Sequence, residues 1–340
     1  MDILPATEFR VHCCGQSRSR KRGCQEGVKQ KLSPCESQGG FLFQEDKMLR
    51  FENRVRNLLE GAIDVHIHSS PDIFPRIMND IDLALMAKQE GMRAILIKSH
   101  VVNTADRAEI AGQVAAFPVF GGLALNLPVG GLNLEAVEVA LKMGAKEVWM
   151  PTIHSSPYIA QKDHVPTLAK AVKEGMKGIF LLNEDGSLRE ELYPIFKRIA
   201  EYDVALGTGH ITLQEAKRVV KEAAKTGVKK IIITHPLATF VNYTHEDMKW
   251  CLDNGAMYLE HVFNDVTRQV AFPITQKMIA EAIRAIGAKH LIMSTDSGQW
   301  LNPIPAQSMG IYIKDMLDLG ISDGDVRMMV STNPARMLGL

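Results

Sequence analysis

The stretch GMRAILIKSH, residues 91–100, sets a glycine and a basic residue before an apolar run that ends in a lysine and a histidine. The same unit recurs as GAKEVWMPTI from 144, GVKKIIITHP from 227 and GAKHLIMSTD from 287. Glycine directly after a helix accepts the left-handed conformation that ends it. The apolar run behind it has the length and β-branching of a buried parallel strand. Helical patterns precede these glycines: DIDLALMAKQE before Gly91, NLEAVEVALKM before Gly144, TLQEAKRVVKEAAKT before Gly227 and ITQKMIAEAIRAI before Gly287. In the third, Thr212 and Glu215 have the spacing of a capping box.

Counting the apolar runs predicts about eight strands, at 62–68, 94–99, 119–125, 147–151, 203–209, 230–235, 256–262 and 290–295. Strands alternating with helices at this spacing mean parallel βαβ units. The fold class expected is α/β, a (β/α)8 TIM barrel, for which roughly 250 residues are usual. A doubly wound open sheet is the alternative. It wants a glycine-rich phosphate turn after its first strand, where this chain reads HSSPD.

The chain has 340 residues, 46% hydrophobic and 23% charged, with a formal net charge of zero. That is the composition of a soluble globular protein, and its balance offers no general attraction to nucleic acid or to an anionic membrane. No apolar run nears the roughly 20 residues a membrane helix needs. Cys13, Cys14, Cys24 and Cys35 crowd the first segment and only Cys251 follows, which is not a disulfide framework. With no secretory apolar region, a cytoplasmic location is expected. Residues 1–47 show no sustained period, and Glu8, Glu26 and Glu36 argue against a basic targeting peptide. Gln44-Glu45-Asp46-Lys47 can be encoded by a purine-rich run like a ribosome-binding site, so Met48 is read as the start of a 48–340 barrel domain. Disorder is expected before Phe51.

In the first strand, GAIDVHIHSS at 61–70, a period of two puts Asp64, His66 and His68 on one face and Ile63, Val65 and Ile67 on the other. A parallel barrel gathers its chemistry at the carboxyl ends of its strands. Those ends carry His66 and His68, Lys98 and His100, His210, His235 and Asp296. A lone strand histidine is more often a hydrogen-bonded core residue. Four histidines and an acid closing separate runs point instead to a shared divalent metal, zinc first, with iron, manganese or nickel as alternatives.

The motifs IDVHIH, GTGH, ITHP and STDSG, in that order, resemble the amidohydrolase superfamily of metal-dependent hydrolases, and the closing STNPARMLGL is similar to its last helix. The resemblance runs from Gly61 to Leu340. HSSPDIFPR, KSH and GHIT resemble an uncharacterised branch of it. The resemblance implies that His66 and His68 hold the more buried metal, and that Asp296 binds it and takes the proton of the attacking water. It implies that His210 and His235 bind a second ion, or that one ligates while the other holds substrate. Two-metal members carry a bridging lysine or glutamate at the end of strand four, where this chain reads EVWMPTIH. One ion is therefore expected, unless Lys98 or Glu260 supplies the bridge.

Arg76, Lys98, His100 and Asn126 are the candidate substrate-binding residues. Arg76 suits a bidentate anion contact or is a surface arginine, and Asp72 is expected to position either Arg76 or a metal-ligating histidine. Lys98 is a substrate anchor, a carbamate or half of an ion pair, and Asn126 is a substrate donor or a loop cap. The segments IHSSPYIAQKDHVP (with His154, Tyr158 and His164) and VFNDVTRQVAFP (with Arg268) read as covering loops. The expected activity is hydrolysis of a C–N or C–O bond in a small, anionic-leaning molecule. A decarboxylase or other lyase on the same site, and a barrel whose metal is structural, are the alternatives. The partner expected is a small-molecule substrate, with no nucleic acid and no membrane; a homo-oligomer is left open.

Overall fold

The computed structural model describes residues 51–161, 172–173 and 175–340. The expected N-terminal extension and His164 lie outside these residues. Helix α1 (Asn53–Leu59) precedes strand β1 (Ile63–Ile67). There follow α2 (Asp80–Gln89), β2 (Ala94–Ile97), α3 (Ala105–Ala115), β3 (Val119–Ala124), α4 (Leu134–Lys142) and β4 (Glu147–Trp149). The short α5 (Ser156–Ile159) and α6 (Leu192–Glu201) lead to β5 (Ala205–Gly207), α7 (Leu213–Thr226) and β6 (Ile231–Thr234). The chain ends with α8 (His245–Asp253), β7 (Ala256–Val262), α9 (Gln276–Ile286), β8 (Leu291–Ser294), α10 (Pro305–Asp318), α11 (Asp323–Arg327) and α12 (Asn333–Leu338).

The eight strands pair in sequence order, each parallel to the next. Backbone bonds bring the last strand to the first: the Asp296 N–H donates to the His66 carbonyl and the His68 N–H to the Ser297 carbonyl, both at 2.8 Å. The molecule is a (β/α)8 barrel and not an open doubly wound sheet. Local signals act where they were read. The Thr212 hydroxyl accepts from the Glu215 N–H, the Glu215 carboxylate accepts from the Thr212 N–H, and Gly227 ends α7 at φ +99°.

Two apolar layers follow from the strand period. Outward residues such as Ile95, Val148, Leu206 and Ile233 pack on helix residues such as Leu83, Val137, Val219 and Met248. Inward residues, among them Leu96, Trp149, Ile232, Tyr258 and Ile292, fill the barrel together with Ala335, Met337 and Leu338 of α12. The Asn333 side chain donates to the carbonyls of Ala288 (2.9 Å) and Leu291 (2.7 Å), tying α12 to the start of β8. The end opposite the strand mouths is thereby sealed.

Strand β1 breaks the expected alternation. Ile63 and Val65 belong to the interior, whereas Ile67 packs outward. The β1–β2 register shifts between Asp64 and Ile67. A bulge of this kind re-aims side chains locally. It lets Val65 and His66 both serve the inner side, and it sends the Asp64 carboxylate to the Thr295 hydroxyl at 2.6 Å.

Candidate metal centre

Four imidazoles and one carboxylate meet at the strand mouths. Asp296 Oδ1 lies 3.3 Å from His66 Nε2 and 3.0 Å from His68 Nε2, and Asp296 Oδ2 lies 3.8 Å from His235 Nε2. His66, His235 and Asp296 each place one ligand-type atom within 4.8 Å of the others. The His210 ring stands 5.2 Å from that of His235. All five residues are buried.

Carboxylates behind two of the rings set their orientation. The His66 Nδ1–H donates to Glu260 at 3.2 Å, and Glu260 also accepts from the Ser294 hydroxyl at 2.7 Å. The His235 Nδ1–H donates to Asp265 at 3.2 Å. Each partner turns the Nε2 lone pair toward Asp296, as carboxylates do behind metal-bound histidines. Asn264 donates to Asp296 Oδ2 at 3.1 Å and is itself held by Asn302 at 2.8 Å. Glu260 thus lies behind His66 and is not placed as a bridge.

The electrostatics favour the metal-binding forms of His66, His68, His210 and Asp296, but the protonated form of His235. Burial lowers His66, with Lys98 adding to it, and takes His68 down to about 3, with Arg76 adding to it. Burial likewise lowers His210 and His100. Burial alone would lower His235, but Asp265 raises it above the usual range. Burial alone would raise Asp296, but His66 and His68 hold it well below the carboxylate range. Neutral imidazoles beside an ionised carboxylate are the donor set of a divalent ion. One of these donors is otherwise orphaned: His235 Nε2, which faces Asp296, is buried without a hydrogen-bond partner. An unpaired buried polar atom is costly, so the residues present fit a metal ion.

The other expected site residues divide. Arg76 and His100 line a cavity above the ligands, which encloses about 990 Å³ with its mouth and has His210, His235 and Asp296 in its wall. Lys98 and Asn126 are not in that lining. Lys98 sits beneath it, with Nζ 2.9 Å from His66 Nε2 and 5.0 Å from the Trp149 ring centre. Asn126 is fully buried and its amide is occupied: it donates to the His100 carbonyl (3.0 Å) and Thr152 hydroxyl (2.6 Å) and accepts from the Thr152 and His154 N–H groups. It joins the ends of three strands, which is the loop-capping alternative. Tyr158 and the segment Gln269–Phe272 wall the cavity, whereas Arg268 and His154 do not line it. The sequence reading missed Asn264 and Asp265. Their signal was present in NDV directly after the seventh apolar run.

A parallel barrel with histidines and an acid converging at its mouth defines a (β/α)8 protein with a candidate metal centre. The family model described as "Family of unknown function (DUF6282)" matches residues 61–260, and the chain belongs to that family. Its fold is similar to that of an amidohydrolase from Pseudomonas aeruginosa, over 84% of this chain and 98% of that one, with a TM-score of 0.52 at 14% identity. The probable dipeptidase PvdM from Pseudomonas aeruginosa is similar over 85% and 98%, with a TM-score of 0.54 at 10% identity. A probable 2-pyrone-4,6-dicarboxylic acid hydrolase from Acinetobacter baumannii is similar over 82% and 100%, with a TM-score of 0.52 at 10% identity. No curated protein matches the sequence. Identities this low speak of the fold alone, a (β/α)8 barrel. Among the described residues, no helix is long and apolar enough to cross a membrane.

Proposed function

We propose that the protein is a metal-dependent hydrolase that cleaves a C–N bond (amide or cyclic amide) or a C–O bond (ester or lactone) in a small molecule. The observation that carries this reading is the convergence of His66, His68 and His235 on Asp296 at the floor of an open cavity. A structural ion would be enclosed.

In this reading His66, His68, His235 and Asp296 are the residues that would hold the ion, and one ion is expected. Zinc suits the donors best, then iron, manganese or nickel. When bound, the ion supplies an acidified water and polarises the bond under attack. Asp296 is ionised and takes the water's proton, then returns it to the leaving nitrogen or oxygen. Asn264, bonded to Oδ2, keeps that carboxylate from rotating and leaves Oδ1 facing His66 and His68. His210, buried with both nitrogens unpaired, is the residue that holds the substrate. Lys98, directly below His66, acts on the ligand set and not on substrate. The buried free thiol of Cys251 agrees with a cytoplasmic setting.

The test is metal analysis of the purified protein, joined to a panel of amides, lactones and esters turned over in oxygen-18 water. Solvent oxygen should enter the product. Asp296→Asn should lower kcat/KM by about a hundredfold or more and leave the fold intact by circular dichroism. A product without solvent oxygen would assign the site to a decarboxylase or other lyase.

A further inference from the structure

Aromatic rings form much of the wall of the cavity above the ligands, beside polar groups such as Asn264, Asp265, Gln269 and Gln299. Phe74, Tyr158, Phe240, Phe272 and Trp300 line it, five rings drawn from the 12 Phe, 6 Tyr and 3 Trp of the whole chain. Phe240 stands 5.0 Å from Tyr158 and 4.8 Å from His210, and Phe74 stands 6.1 Å from His100. Rings of this kind are stiff, and they bury large area against a flat guest at small entropic cost.

One cation interrupts them. Arg76 is the only Lys or Arg among the described lining residues. Its side chain is 3% exposed. Asp72 accepts from its Nε at 2.9 Å, and its guanidinium lies 5.5 Å from the centre of the Phe74 ring. These contacts hold the fork in place yet leave both terminal nitrogens without an acceptor among the described residues. A fixed pair of parallel N–H donors is the geometry that a carboxylate fills.

We propose that the substrate is a flat aromatic acid, its ring held between the aromatic walls and its carboxylate on the terminal nitrogens of Arg76, with the scissile amide or ester at the other end of the ring. The assignment rests on the hydrolase reading for the identity of that scissile bond, and on the cavity alone for the ring and the charge.

Calorimetric titration of the metal-loaded protein separates these. The probes are 4-carbamoylbenzoate, its neutral counterpart terephthalamide, and trans-4-carbamoylcyclohexanecarboxylate, which keeps the charge but is not flat. The benzoate should bind at least about tenfold tighter than either, the scale of one well-made charge-assisted contact. Arg76→Met should remove its advantage over terephthalamide, and Arg76→Lys should keep part of it. Terephthalamide or the cyclohexane acid binding as well as the benzoate overturns the proposal. So does an undiminished advantage in Arg76→Met, which would put the carboxylate on the metal. If Arg76→Met does not fold, the ranking on the wild-type protein decides alone. Failure to hydrolyse the benzoate's amide, with the ranking intact, would count against the hydrolase reading and not against this one.

Discussion

Asp296 and His235 adopt left-handed backbone conformations, at φ +48° and +50°. A non-glycine residue held there costs on the order of 1–3 kcal/mol and persists only where its surroundings impose it. His235 follows directly on β6 and Asp296 follows β8 after Thr295, and the sharp turn aims each side chain into the ligand cluster. Asp64 shows a different residue-scale tension. It accepts from the Thr295 N–H and hydroxyl and from the His66 N–H, yet burial outweighs them and raises its carboxyl from 3.8 to about 7. The folded chain then holds this proton more tightly than the unfolded one. The resulting stability is complete below about pH 4 and is lost as the pH rises through 7. Asp64→Asn has no such loss, so its urea midpoint relative to wild type should climb between about pH 5 and pH 8. A difference that stays flat over that range would refute the burial argument.

At the scale of the element, strands and helices were legible wherever a period ran unbroken. The repeats beginning at Gly91, Gly144, Gly227 and Gly287 each became a β-strand behind a helix. Strand β1 was half legible. The expectation that His66 and His68 point the same way agrees with their shared contact to Asp296, but the bulge turned Ile63 and Val65 inward as well. A bulge is decided by pairing with a neighbour, which periodicity does not contain. The interior of β3, β4 and β5 shows the same dependence. Trp149 fills the barrel because its neighbours there are glycines: a Cβ on Gly207 would meet Trp149 Cδ1 at 2.3 Å, and one on Gly122 would meet Trp149 Cζ3 at 2.6 Å. Gly207→Ala should therefore destabilise the protein by about 1–3 kcal/mol through overpacking, read as a lower urea midpoint with an unchanged m-value. An unchanged midpoint would show that Trp149 has room to move.

For the molecule as a whole, stability and the metal site are linked. An ion that binds only the folded chain stabilises it by about 2.7 kcal/mol at a hundredfold excess over Kd. Zinc added to chelator-treated protein should raise Tm by several degrees, and His66→Asn should lose most of that gain. A Tm indifferent to zinc, manganese, iron and nickel would remove the ion from this site. The sequence by itself determined the barrel, because glycine stops, helical stripes and buried runs are local patterns that repeat. It also named the side chains that meet at the strand mouths, because eight parallel strands must present their carboxyl ends together. Only the tertiary structure decided what each of them touches. It set Glu260 and Asp265 behind the ligands, sank Lys98 beneath His66, spent Asn126 on the loops and left Arg76 in the cavity with donors to spare. Those outcomes depend on contacts between residues as many as 194 positions apart, and no local pattern encodes a distance across the barrel.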